Sequence, residues 1–83
     1  MMKASYILLS LKGERLVVWK IEKNIICVGY ENCEVKEDGV LISTFGRGTD
    51  FEDACMDYLS RIRGKTLVFN AYDATRKEVT VLG

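Results

Sequence analysis

The apolar residues between positions 50 and 63 recur with the period of an α-helix. They stand at i, i+3, i+4, i+7, i+8 and i+11, and they are Phe51, Ala54, Cys55, Tyr58, Leu59 and Ile62. This spacing places them all along one side of a helix. Such a helix is stable in water only when another layer covers its apolar side, so the other segments must form that layer.

Both ends of the predicted helix, residues 50–63, carry sequence signals. Thr49 and Glu52 have the S/T-x-x-E spacing of a capping box, in which the threonine hydroxyl accepts a hydrogen bond from an early helix N–H. Gly64 follows the last apolar position and suits the left-handed conformation that ends many helices. Acidic residues in the first turn and basic residues at the end match the helix dipole.

Segments rich in β-branched and aromatic residues lie on both sides of the helix and predict strands. They are residues 6–9, 15–21, 25–30, 33–36, 40–44, 66–70 and 78–82. The predicted order is therefore β-β-β-β-β-α-β-β, in a single α+β domain over residues 1–83. One amphipathic helix on a largely antiparallel sheet is the simplest arrangement that hides the apolar side of the helix.

Two hairpins are expected within this sheet. Residues 6–9 also match a short helical stripe, but we favour a strand that pairs with residues 15–21. Asp38 and Gly39 separate two strand-like segments, and this dipeptide is the strongest signal for a tight hairpin turn in the sequence.

Composition limits the classes to which the chain can belong. Its 83 residues suffice for one domain, and twelve basic residues balance twelve acidic ones, so the chain lacks the positive field of most non-specific nucleic-acid binders. The longest apolar runs are much shorter than a membrane span, and no segment has the pattern of a secretion signal. Three cysteines without CxxC spacing suit a reducing compartment, so we expect a cytoplasmic protein.

The chain has no histidine, which excludes the usual serine and cysteine triads and histidine-ligated metal sites. Cys55 lies on the apolar side of the helix and Cys27 in an apolar strand, so both are predicted to pack in the core, whereas Cys33 is expected nearer the surface. The acidic clusters occupy a hairpin tip and a first helical turn, where solvated carboxylates are common. We therefore predict a protein that is not an enzyme and that uses neither metal nor cofactor.

The segment Gly46-Arg47-Gly48-Thr49 is a candidate anion or ligand site. Glycines allow a ligand to approach the backbone, the N–H groups at a helix start attract anions, and Arg47 supplies a positive charge. A turn that leads from a strand into the helix explains both glycines as well, and this structural explanation is favoured.

Two surfaces are candidates for macromolecular partners. Aromatic and arginine side chains dominate the binding energy of many protein interfaces, and the residues of this kind singled out here are Arg47, Trp19, Tyr30 and Tyr72. The alternative is a nucleic-acid-binding edge of basic residues after the helix and in the next turn, namely Arg61, Arg63, Lys65, Arg76 and Lys77.

Residues 38–70 contain a strand, a turn with Gly48 and Thr49, and a helix with Ala54 in its first part. This arrangement resembles many short phage and prophage proteins and is similar to HicB-type antitoxin domains. The resemblance implies a sheet followed by a helix with a buried alanine, and a mobile-element origin. It suggests an accessory protein that inhibits or modulates a host protein, such as a defence component, in the cytoplasm of the host cell.

From these observations we expect a non-enzymatic protein-binding module whose partner is a host protein, with self-association through an exposed strand edge as a further expectation. A small nucleic-acid-binding domain is the alternative. No membrane partner is expected.

Overall fold

The computed structural model describes residues 3–11 and 13–81, which form two helices and seven strands. In chain order they are α1 Ala4–Leu9, β1 Leu16–Glu22, β2 Ile25–Tyr30, β3 Cys33–Glu37, β4 Val40–Ile42, β5 Gly46–Gly48, α2 Phe51–Ile62, β6 Thr66–Phe69 and β7 Lys77–Thr80. The α+β class is confirmed. Among the described residues, no helix has both the length and the apolar character needed to cross a membrane.

The strands form two antiparallel sheets instead of one. The first has the order β1-β2-β5 and the second the order β4-β3-β6-β7. The predicted turn between β3 and β4 is confirmed, because Asp38 and Gly39 have φ angles of 50° and 78°. The last predicted strand begins one residue earlier, at Lys77, and its expected end at Leu82 lies outside the described residues.

The predicted helix is confirmed as α2, and its apolar side forms the centre of the core. Ala54, Cys55, Tyr58, Leu59 and Ile62 are buried, while Phe51 at the first position stays partly exposed. They pack against buried residues of both sheets, which include Val28, Val35, Leu67 and Phe69.

Two tyrosines join α2 to the first sheet and to α1. The hydroxyl of Tyr58 accepts a hydrogen bond from the backbone N–H of Tyr30 at 3.1 Å. The hydroxyl of Tyr30 donates to the carbonyl oxygen of Leu8 at 2.6 Å. Burial raises the pKa of Tyr30 to about 12, so this hydroxyl remains a donor throughout the neutral range.

The start of α2 differs from the predicted capping box. Asp50 is the cap, and its Oδ1 accepts from the backbone N–H of Asp53 at 2.8 Å. The hydroxyl of Thr49 donates to the carboxylate of Asp53 at 3.0 Å, so it does not cap the helix. Gly64 takes the left-handed conformation expected after the helix, with φ of 78°.

The prediction of a strand at residues 6–9 is wrong, and so is the hairpin with residues 15–21. Ala4–Leu9 is a short helix, and β1 pairs with β2. The reason is a distant partner: Glu52 in α2 accepts from the backbone N–H of Ser5 at 3.1 Å and from its hydroxyl at 2.6 Å. These bonds serve the N-terminus of α1, and its helical spacing then buries Ala4 and Leu8.

The predicted turn at the two glycines is instead strand β5, and it lies directly beneath α2. A side chain at Gly46 would overlap the carbonyl oxygen of Ala54 and the backbone of Tyr58. A Cβ at Gly48 would lie 2.6 Å from the backbone nitrogen of Ala54. Both glycines are therefore required by the close approach of a helix to a strand.

We predict that Gly46→Ala destabilises the protein by about 3 kcal/mol or more, because the added methyl group forces α2 away from β5. Thermal denaturation followed by circular dichroism should show a fall in Tm of more than about 10 °C. Gly29→Ala is the control, since a Cβ at Gly29 meets its nearest atoms at an ordinary 3.6 Å. Equal losses in both variants would contradict the packing described here.

A second prediction concerns the pH dependence of stability. The hydrogen bonds from Ser5 hold the pKa of the Glu52 carboxyl below its usual value of 4.5. Because this pKa is lower in the folded state, the stabilisation is fully present above about pH 4.5 and is lost as pH falls through the folded-state pKa. In urea titrations at a series of pH values, Glu52→Gln should be less stable than the wild type near neutral pH and should lose less stability on acidification.

Glu22→Gln removes an exposed carboxylate from β1 and is the matched control for Glu52→Gln. Its stability should follow the wild-type pH dependence. If the Glu52 and Glu22 variants show the same pH dependence, the bond between α1 and α2 does not contribute as described.

Candidate functional site

The three-stranded sheet has one side against α2 and an opposite side that bears exposed aromatic residues. Trp19, Cys27 and Arg47 lie opposite one another in the register of β1, β2 and β5. Gly46, the neighbour of Arg47, faces α2, and side chains alternate along a strand. Trp19 and Arg47 therefore lie on the side away from α2, which we call the outer face; it is formed by Trp19, Phe45 and Arg47.

Trp19 and Phe45 form an aromatic pair that packs against the backbone of Gly29 on one side and is exposed on the other. The ring centroids of Trp19 and Phe45 are 5.7 Å apart, with 55° between the ring planes. Both side chains lie over Gly29, where a Cβ would come 3.6 Å from the Trp19 ring and 3.7 Å from Cβ of Phe45. Cys27 is completely buried, yet Trp19 and Phe45 keep exposed fractions of 38% and 40%.

Strand β1 adds an open edge to the outer face. It pairs with β2 on one side, and the structure places no strand of residues 3–11 or 13–81 on its other side. Its apolar residues Val18 and Ile21 are exposed by 50% and 48%. Val18 pairs with Val28, which pairs with Gly46, so Val18 lies on the same side of the sheet as α2 and not on the outer face. A register irregularity lies between Lys20 and Glu22. Unpaired backbone groups on such an edge can pair with a further strand.

Arg47 is fixed by contacts of its backbone. Its N–H donates to the carboxylate of Asp57 at 2.9 Å, and Nε of Arg61 donates to the same oxygen at 3.0 Å. Partial burial works to raise the pKa of Asp57, but these two hydrogen bonds and the nearby charges hold it below its usual value. The side chain of Arg47 remains exposed on the outer face.

The candidate anion site at Gly46-Arg47-Gly48-Thr49 is occupied by groups of the protein itself. Asp57 accepts from the N–H of Arg47, and Asp50 accepts from the N–H at the third position of α2. An incoming anion would therefore meet carboxylates at both places. The geometry favours the structural explanation of the two glycines.

The structure separates the remaining predicted anchor residues from the outer face. Tyr30 lies in the core with 9% exposure, and its ring packs against Tyr58 and Phe69, so the expectation that it is exposed is not met. Tyr72 is 94% exposed, but it follows β6 in the second sheet. Trp19 and Arg47 are the predicted residues that share one surface.

The basic residues of the nucleic-acid alternative are largely paired with acids. Their ion pairs are Arg61 with Asp57, Lys65 with Glu37, Arg76 with Glu78 and Lys77 with Glu14. No carboxylate of the described residues forms an ion pair with Arg63. The positive charges are thus compensated at close range, which weakens their attraction for phosphates.

These basic residues are also spread over the molecule. In the ladder between β6 and β7, Lys77 pairs with Phe69 at one end, while Lys65 bonds to Val81 beyond the other end. The two lysines are therefore four positions apart along the ladder, and four residues of extended chain span about 13 Å. The structure therefore does not bring Lys65 and Lys77 into one patch.

The cysteines lack the environment of a nucleophile. Burial is the main cause that raises the pKa of Cys55 to about 11, and the negative charge of Glu52 is the smaller cause. Cys33 is only partly buried, yet burial is still the main cause that raises its pKa to about 12, and the negative charge of Glu34 is the next. Cys27 is buried beneath the outer face. Among the described residues, no three acidic or cysteine side chains form a group that could hold a metal ion.

Phe45 is the part of the outer face that sequence reasoning missed. It stands two residues before Arg47, and this spacing puts both on one side of an extended chain. The signal was hidden because the glycines indicated a turn.

Comparisons with protein-family models, curated proteins and solved structures found no match to this chain.

We predict that the native protein reacts slowly with a thiol reagent such as 5,5′-dithiobis(2-nitrobenzoate). At about pH 8, a thiol with a pKa of about 11 or 12 is ionised to roughly one part in a thousand or less. The same protein in urea should release colour from all three cysteines at the rate of a free thiol. A cysteine that reacts at that rate in the native protein would contradict this picture.

Proposed function

We propose that this chain is a non-enzymatic protein-binding module that holds its partner on the outer face and the adjoining edge of β1. The observation that carries the proposal is the pair Trp19 and Phe45, which is packed over Gly29 and still exposed by 38% and 40%. Tryptophan and arginine are the residues most enriched among those that dominate binding energy, and the outer face presents one of each.

The packing beneath the aromatic pair supports an anchoring role. Trp19 is held by Phe45 and by the surface of Gly29, so it has little rotamer freedom left to lose when a partner binds. The backbone of Arg47 is held by Asp57, while its guanidinium remains exposed for charge-assisted hydrogen bonds to a partner carboxylate. Such a surface offers apolar area with one directional polar contact.

The open edge of β1 offers a second kind of contact. A partner strand can extend the three-stranded sheet through backbone hydrogen bonds, while its side chains meet Ile21 and, on the side of the sheet that faces α2, Val18. A second copy of this chain can use the same edge, and this is the basis for expecting self-association.

The biological setting of the proposal comes from the resemblance to short phage and prophage proteins. In that setting the partner is a host protein, such as a defence component, and the chain inhibits or modulates it by covering a surface in the host cytoplasm. This role requires no catalytic group, which agrees with the raised pKa values of Cys33 and Cys55.

We predict that Trp19→Ala and Phe45→Ala each weaken binding of the partner by at least about tenfold, because each removes part of the aromatic anchor. Capture is made from a bacterial host lysate both with and without nuclease. The partner that is captured in the presence of nuclease is purified, and its affinity is measured by isothermal titration calorimetry. Ile21→Lys should also weaken binding while leaving the aromatic pair in place.

Tyr72→Ala is the matched control, because it removes a more exposed aromatic side chain from the other sheet. It should leave the affinity unchanged. Loss of binding in the Tyr72 variant alone would place the partner elsewhere. A captured complex that disappears with nuclease and weakens steeply with salt would support the nucleic-acid alternative instead.

A further inference from the structure

The two helices leave a groove between them on a different part of the molecule from the outer face. We call it the helix groove; it has a volume of about 650 Å³ and is lined by Lys3, Ala4, Ile7, Glu52, Met56, Leu59, Ser60 and Arg63. Its lining residues in α2 run from Glu52 to Ser60, and Arg63 follows the helix. Glu52 and Arg63 are eleven positions apart, which corresponds to about 16 Å of helical rise, so the groove is elongated.

The middle of the helix groove is apolar. Ala4 and Leu59 are buried, Ile7 is half-buried, and Met56 is exposed by 58%. An unbranched methionine side chain adapts its shape to a neighbouring ligand at little cost. The volume and the apolar lining lie within the range of small-molecule sites in proteins.

The charges of the helix groove are unequal at its two ends. At one end the carboxylate of Glu52 already accepts two hydrogen bonds from Ser5, and Lys3 lies near enough to lower its pKa. At the other end Arg63 forms no ion pair with any carboxylate of the described residues. An apolar channel thus ends at a guanidinium that has no carboxylate partner among residues 3–11 and 13–81.

We propose that the helix groove binds an amphipathic carboxylate of the fatty-acid type. The acyl chain lies along Ile7, Met56 and Leu59, and the carboxylate binds the guanidinium of Arg63 through charge-assisted hydrogen bonds. Charge complementarity selects this ligand: a neutral hydrocarbon leaves Arg63 without a partner, and a cationic amphiphile is repelled by it.

A neighbouring hollow supports the orientation of the ligand. It has a volume of about 540 Å³ and shares Ile7, Leu59 and Arg63 with the helix groove, and it continues toward Leu11 and Val79. Arg63 therefore lies where two apolar hollows meet. The carboxylate occupies this junction, and the chain extends into the larger hollow, whose wall includes the adaptable Met56.

The test is a titration of the full chain with decanoate below its micelle concentration, followed by ¹H–¹⁵N correlation spectra. We expect saturable shifts at Ala4, Ile7, Met56 and Leu59. Decanol has the same chain without the charge, and it should bind at least about tenfold more weakly. Acetate, which has the charge without the chain, should produce no saturable shifts.

Two variants localise the carboxylate. Arg63→Gln should weaken decanoate binding at least about tenfold and leave decanol binding unchanged. Arg61→Gln is the matched control on the same helix, because Arg61 is already paired with Asp57, and it should bind decanoate like the wild type. Both arginines are exposed, so neither variant removes a core contact.

Three outcomes would overturn the proposal: no saturable shift below the micelle concentration, equal affinity for decanoate and decanol, or equal effects of the Arg63 and Arg61 variants. The result is independent of the proposed protein-binding function. Trp19→Ala changes the outer face, and it should leave decanoate binding unchanged whatever its effect on a protein partner.

Discussion

The contact of α2 with the backbone of β5 is the constraint on which the other features depend. A helix comes this close to a strand only where no side chain of the strand lies between them, and Gly46 and Gly48 meet this condition because they have none. The close approach brings Asp57 within 2.9 Å of the N–H of Arg47. It also defines the orientation of β5, so that Phe45 and Arg47 lie on the side away from the helix.

Once α2 is in place, it positions α1 and the first sheet through polar groups. The hydroxyl of Tyr58 satisfies a buried N–H of β2, and Tyr30 extends the connection to Leu8 in α1. Glu52 provides acceptors at the start of α1. A helix of six residues is too short to be stable alone, so α1 exists because α2 supplies these partners and an apolar surface.

The two proposed binding surfaces are what this arrangement leaves uncovered. The outer face is the side of the three-stranded sheet that α2 does not occupy, and its aromatic pair fills the space above Gly29. The helix groove is the gap between a short helix and a longer one. Each surface combines apolar area with an exposed arginine, but one is broad and faces outward, whereas the other is narrow and elongated.

The sequence by itself determined the elements whose signals are local. The period of the apolar residues in α2, the left-handed glycine after it and the Asp-Gly turn between β3 and β4 each depend on residues close together in the chain. Trp19 was chosen for its residue type, and Arg47 also for its position between two glycines before the helix; the structure places both on the outer face.

Only the tertiary structure decided the features that depend on distant partners. Whether residues 4–9 form a helix was decided by Glu52, 47 positions from Ser5, since their own pattern suits both a strand and a helix. Tyr30 and Trp19 are both aromatic residues of strands, yet one is buried and the other exposed because α2 covers one side of the sheet. Local propensity acts over a few residues, whereas burial is set by whatever the fold brings to each side of a strand.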